Sequence, residues 1–148
     1  KAPINWEISE GDRPNIVKKF IKDGNSFMIS IIESYTFFSR KQVRDLFSDE
    51  TYVKDFVDEQ LISITSPEIL KTQVVSVDTY PAIELKVKGS YERLGNVISS
   101  TMKMWYVFYE DKIVLFQAIS FKSSDFKGYE NLYDLITNSV IFPEQYEL

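Results

Sequence analysis

The sequence predicts an α+β fold, an antiparallel β-sheet of about six strands flanked by helices. Three observations lead there. Runs rich in Val, Ile, Phe, Tyr and Trp are separated by turn-length breaks, so most strands connect as hairpins. Helical periodicity is confined to two places, one in the first half of the chain and one at its end. Aromatic residues make up 15% of the 148 positions, which suits strand-rich structure.

Taken in order, Ile4 to Ile8 reads as a first strand carrying Trp6, closed by a turn at Glu10-Gly11-Asp12. Apolar, β-rich runs then flank Asp23-Gly24-Asn25, a strong hairpin signal because glycine accepts the positive φ of a tight turn. The second arm, from Phe27, is apolar on both faces, as expected of an interior strand. Ser39 and Gln42 have the spacing of a capping box, opening a helix through Phe47. Ser48 or Asp49 caps a second helix from about Glu50 to Leu61, with Val53, Phe56, Val57 and Leu61 on one face.

Beyond Pro67, Lys71 to Asp78 reads as a strand. Ile83, Leu85 and Val87 alternate with Glu84, Lys86 and Lys88, which predicts a half-exposed strand with one polar face. Gly89 to Asn96 reads as a loop. Two long strands, roughly Ile98 to Tyr109 and Lys112 to Phe121, meet at Glu110-Asp111 and supply the sheet centre. Ser124 or Asp125 opens a last helix that packs through Tyr129, Leu132, Tyr133, Ile136 and Val140. No repeat or linker divides the chain, so residues 1–148 are expected to form one domain.

Composition narrows function by exclusion. The chain has no histidine and no cysteine, which removes His-based triads, thiol nucleophiles, ordinary zinc sites and disulfides. Its net charge of −5 argues against nucleic acid as a partner. No Gly-rich phosphate loop or Asp-rich calcium loop is present, so no cofactor and no metal are expected. No apolar run is long enough to span a membrane. The chain starts at Lys1, as a processed or truncated form does, and a lipid anchor on a removed leader is compatible with that. The lack of cysteine fits an exported protein, with cytoplasmic residence as the alternative.

The carboxylates Asp45, Asp49 and Glu50, and Asp55, Asp58 and Glu59, fall on polar helix faces or helix starts, where they serve solubility and the helix dipole. Lys18, Lys19 and Lys22 read as edge-strand guards. The candidate binding residues are Tyr91, Arg93, Trp105 and Tyr109, around the polar segment Gly89–Asn96, because Trp, Tyr and Arg dominate contact surfaces. The competing role for these aromatics is packing on the sheet.

The order and spacing of Trp6, the hairpin from Asn15 to Ile31, the helix at Ser48-Asp49-Glu50-Thr51-Tyr52-Val53, Tyr80-Pro81-Ala82-Ile83-Glu84-Leu85, the pair Trp105 to Leu115 and the closing Asn138-Ser139-Val140-Ile141-Phe142 resemble the PsbP-like superfamily. That superfamily includes an extrinsic protein of photosystem II, the Mog proteins and bacterial exported lipoproteins. The chain departs from it at Glu110-Asp111-Lys112, where a small or glycine-containing turn is usual. The resemblance implies a PsbP-like sandwich and a non-catalytic binding or assembly protein. Such a protein would be bacterial and periplasmic or otherwise in the cell envelope, and would act on a protein partner. A small-molecule binder with a pocket between sheet and helix is the alternative.

Overall fold

A computed structural model describes residues 2–142. Its described elements are β1 (Glu7–Ser9), β2 (Ile16–Lys22), β3 (Asn25–Phe38), α1 (Arg40–Phe47), α2 (Glu50–Gln60), β4 (Thr65–Val77), β5 (Tyr80–Arg93), β6 (Asn96–Ser120) and α3 (Ser123–Asn138). The strand segments lie in the order β1-β2-β3-β6-β5-β4, and every pairing is antiparallel.

β6 is a hairpin rather than one straight strand. Residues from Asn96 to Val107 pair with β5, and residues from Glu110 to Ser120 pair with β3. Gln117 Nε2 lies 3.7 Å from Met104 Sδ although the residues are 13 apart in sequence. A straight strand would separate them by about 43 Å. The chain therefore turns at Glu110-Asp111, with Glu110 at a φ of 53°. The result is an open sheet of seven antiparallel strands with three helices, an α+β arrangement as expected.

Both sheet faces are covered. Phe27, Trp105, Val107, Phe116 and Ala118 point to α3 and pack with Phe126, Tyr133 and Ile136. Ile83, Leu85, Met104, Tyr106 and Phe108 point to α1 and α2 and pack with Val43, Phe47 and Val57. This follows from strand alternation, since successive residues of the apolar central strands serve opposite faces.

The helix signals are local and they form. Ser39 and Gln42 make the reciprocal capping box, and the Asp49 side chain accepts from the Thr51 and Tyr52 amides. The last helix begins at Ser123, with Lys122 at the cap position and no side-chain cap, rather than being capped by Ser124 or Asp125. Trp6 precedes β1 instead of lying inside a strand from Ile4. It is buried edge-on against Tyr129 of α3, with ring centroids 5.3 Å apart.

Two further expectations are corrected. Gly89 to Asn96 is a continuous β-hairpin, with Arg93 paired to Asn96 and both turn residues, Leu94 and Gly95, at positive φ. The turn went unread because Leu-Gly lacks the Asn or Asp that usually marks it. Of Lys18, Lys19 and Lys22, Lys19 is not on an edge, because β1 pairs with β2 over Lys19–Ile21 and is itself the terminal strand; Lys18 and Lys22 flank that short pairing, and Lys18 Nζ reaches Glu10 at 2.7 Å.

Candidate functional site

The four residues singled out in the sequence do not converge. Tyr91 and Arg93 sit near the tip of the β5–β6 hairpin, where Arg93 is exposed; the Tyr91 side chain lies outside the described residues. Trp105 pairs with Glu84, seven residues along β5 from Tyr91, or roughly 23 Å away. It is buried against α3. Tyr109, farther still from the tip, is partly buried and stacks on Phe142 at 4.7 Å. Trp105 and Tyr109 thus take the packing role.

Trp105 leads instead to a group of charges that periodicity alone concealed. Its indole Nε1 donates to Glu84 Oε2 at 3.1 Å. Glu84 and Lys86 of the polar face of β5, expected in water, are buried and half-buried on the side of α3, while Lys88 stays exposed. Lys103, only 3% exposed, donates to Asp134 at 2.7 Å and stands 3.4 Å from Glu130 and 3.8 Å from Glu84. Lys86 donates to both Glu130 oxygens at 2.9 and 3.0 Å, and Lys71 lies 3.3 Å from Glu84. One signal was available: Lys103 is a lone charge in the apolar run Met102-Lys103-Met104-Trp105.

The electrostatics of this group define what it does. Burial works against the charge on Lys103, but the Asp134 hydrogen bond and the carboxylates of Glu84, Asp134 and Glu130 outweigh it and raise the pKa. Burial likewise opposes ionisation of Glu130, and the hydrogen bond and charge of Lys86, with Lys103 behind them, hold the carboxyl below its ordinary value. Lys103 is therefore a locked cation rather than a nucleophilic amine, and Glu130 a locked anion rather than a proton donor at neutral pH. The group ties α3 to the sheet.

An accessible recess lies on the opposite face. β4 is the terminal strand of the sheet, paired only with β5 among the described residues. Its register places Ile69, Thr72 and Val74 opposite Val87, Leu85 and Ile83, on the side of α1 and α2. The helix pair does not extend over them. Phe56 of α2 packs on Tyr106 and Phe108 of β6, at 5.1 and 5.5 Å, leaving a groove of about 510 Å³ between α2 and β4. Phe47, Val53 and Val57 form one wall, and Ile69, Thr72 and Val74 the other. Ile69 and Val74 are each 47% exposed. Glu50 and the Lys54–Asp58 ion pair stand at the rim. Sequence reading missed this because helix–sheet offset is a property of tertiary packing.

The arrangement of the whole chain has counterparts among solved structures. Cyanobacterial PsbP (CyanoP) from Synechocystis sp. PCC 6803 superposes with a TM-score of 0.55 at 14% identity, over 95% of this chain and 84% of that one. The fold is PsbP-like. The protein of unknown function PA94 from Pseudomonas aeruginosa shares the PsbP-like arrangement of this chain with a TM-score of 0.57 at 12% identity, over 96% of this chain and 87% of that one. No protein-family model and no curated protein matches the sequence. Among the described residues, no helix is long and apolar enough to cross a membrane, and none of them forms a His, Cys, Asp or Glu group able to hold a metal ion.

Proposed function

We propose that this chain is a non-catalytic binding protein that acts through a protein partner, with residues 1–148 as one PsbP-like unit. The observation that carries this reading is the groove between α2 and β4. A terminal strand with half-exposed Ile69 and Val74 offers unpaired backbone groups and apolar side chains together, the combination that strand-adding partners use. Arg93 and Tyr91, on the hairpin extending past the start of β4, belong to the proposed contact surface as an outlying part. Lack of cysteine supports placement in a bacterial cell envelope.

The test is co-purification from the native organism, comparing the wild type with Ile69→Ser/Val74→Ser. Both side chains are half-exposed, so the variant should fold. A partner bound by the wild type and lost by the variant, with β4 amides protected from hydrogen exchange in the complex, supports the reading. Equal capture by both, or protection elsewhere, overturns it.

A second reading has its own observation. The groove volume of about 510 Å³ lies within the range of small-molecule pockets, and it has apolar walls with a few polar rim groups. Native mass spectrometry of protein purified from its source separates the two. A retained ligand of small-molecule mass, absent from the variant, favours this reading over a protein partner.

A further inference from the structure

The chain has three methionines, and the fold gathers all of them at one place. Met102 and Met104 lie on the first arm of β6, facing α1 and α2, and are 4% and 3% exposed. Gln117, on the second arm, brings its Nε2 to 4.0 Å from Met102 Sδ and 3.7 Å from Met104 Sδ. Met28 of β3 is the direct cross-strand partner of Gln117. Directly opposed residues share a sheet face, and the neighbours of Met28, Phe27 and Ile29, belong to the α3 side. Met28 therefore stands on the same face as the other two, two strands from Met104 or about 10 Å between Cα atoms, within reach of two extended methionine side chains.

Met102 and Met104 border a recess of about 340 Å³ at the end of α2, walled also by Tyr106, Gln117, Leu115 and Ile64, and Met28 lies one strand beyond Gln117. The Tyr106 hydroxyl donates to Met104 Sδ at 3.2 Å. Two good donors, a phenol and an amide, thus turn to sulfur, a weak acceptor that is easily given up to a stronger competitor.

We propose that Met102, Met104 and Met28 form a thioether site for a soft monovalent cation, Cu(I) in chemical class, with Tyr106 and Gln117 holding the sulfurs toward the recess. Thioethers are soft and neutral, so they select Cu(I) over hard cations. An uncharged, largely apolar recess also tolerates a single positive charge far better than two. No carboxylate lines it. The site uses neither histidine nor cysteine, and the chain has neither.

The test uses Ag(I), a redox-inert soft ion, titrated into protein carrying ¹³C-labelled methionine methyl groups in chloride-free buffer. Three methyl resonances report directly on the three sulfurs. The expected result is saturation at one equivalent, with the Met102, Met104 and Met28 resonances moving together. Affinity should be nearly unchanged between about pH 7 and about pH 5, because a thioether has no proton to lose on binding. Met102→Leu/Met104→Leu, a nearly volume-conserving change, should weaken binding about a hundred-fold or more. The proposal is overturned if the Met102 and Met104 resonances stay in place while silver binds, or if affinity falls with pH as a carboxylate site would require. It is equally overturned if the folded double variant binds as tightly as the wild type. The titration of the wild type decides the matter even if that variant does not fold.

Discussion

Lys103 on the central strand and Asp134 on α3 meet at 2.7 Å beneath a helix that otherwise packs through aromatic rings. The pair carries the registration of α3 on the sheet. Aromatic contacts set the distance between helix and sheet, but they tolerate sliding, whereas a buried ammonium must find its acceptors.

Removing that ammonium should be costly. Lys103→Met leaves Glu84, only 9% exposed in its side chain, with one fewer compensating charge, and is expected to destabilise the fold by about 3 kcal/mol. Adding Glu84→Gln should recover part of the loss, because the amide oxygen still accepts the Trp105 indole while the buried charge, left with Lys71 alone to balance it, is gone. Urea denaturation of the two variants measures both steps. Equal stability of Lys103→Met and wild type would show that the cluster carries no net weight.

Glu130 gives the pH dependence. Its folded pKa lies below the ordinary value of 4.5, so the unfolded chain binds more protons as the solution is acidified. The stabilisation is complete above about pH 4.5 and is lost as pH falls through the lower folded value. Chemical denaturation across that acid range should show stability falling with pH, with a shallower fall for Glu130→Gln. Lys103 behaves in the opposite sense. Its raised pKa gives a contribution that is complete below 10.5 and lost only as pH rises through the folded value.

The contrast between what the sequence discloses and what it hides follows the range of the interactions. Ser39 and Gln42 declare α1 because a capping box is complete within four residues. Asp23-Gly24 declares the first hairpin for the same reason. Glu84, Lys86 and Lys88 read as a solvent face, and Lys88 does stay exposed, but nothing local to β5 says that α3, more than thirty residues on, brings Glu130 down upon Lys86 and Asp134 upon Lys103 beside Glu84. The Met28–Gln117–Met104 row is hidden in the same way. It needs the pairing of β3 with the second arm of β6, and no spacing in the sequence encodes that.

Gly89 marks a close approach that can be tested without touching any charge. A Cβ built there would stand 2.2 Å from Ile64 Cγ2, and its φ is not in the left-handed region, so crowding alone decides the outcome. Gly89→Ala should cost about 1 kcal/mol as Ile64 is pushed aside. Gly89→Ala/Ile64→Ala should be less destabilised than the sum of the two single changes, because the second creates the room the first requires. Thermal melts of the three variants provide the comparison.

Asp78 performs two duties that substitution can separate. It and Thr79 hold the β4–β5 turn at φ values of 47° and 73°, and its Oδ2 accepts the Phe142 amide at 2.7 Å. That bond fixes the residues after α3 so that the Phe142 ring packs edge-on to Tyr80 at 4.9 Å and stacks on Tyr109 at 4.7 Å. Asp78→Gly keeps the left-handed backbone and removes the acceptor. It should cost about 1.5 kcal/mol, from a charge-assisted hydrogen bond, and should speed hydrogen exchange at the Phe142 amide. Asp78→Ala removes the acceptor and adds left-handed strain, and should cost about 1 kcal/mol more. If the glycine variant leaves exchange at Phe142 unchanged while the alanine variant destabilises, the turn alone matters and the closing aromatic stack holds itself. If both variants accelerate exchange equally and differ only in stability, clamp and turn act independently, each through its own part of one side chain.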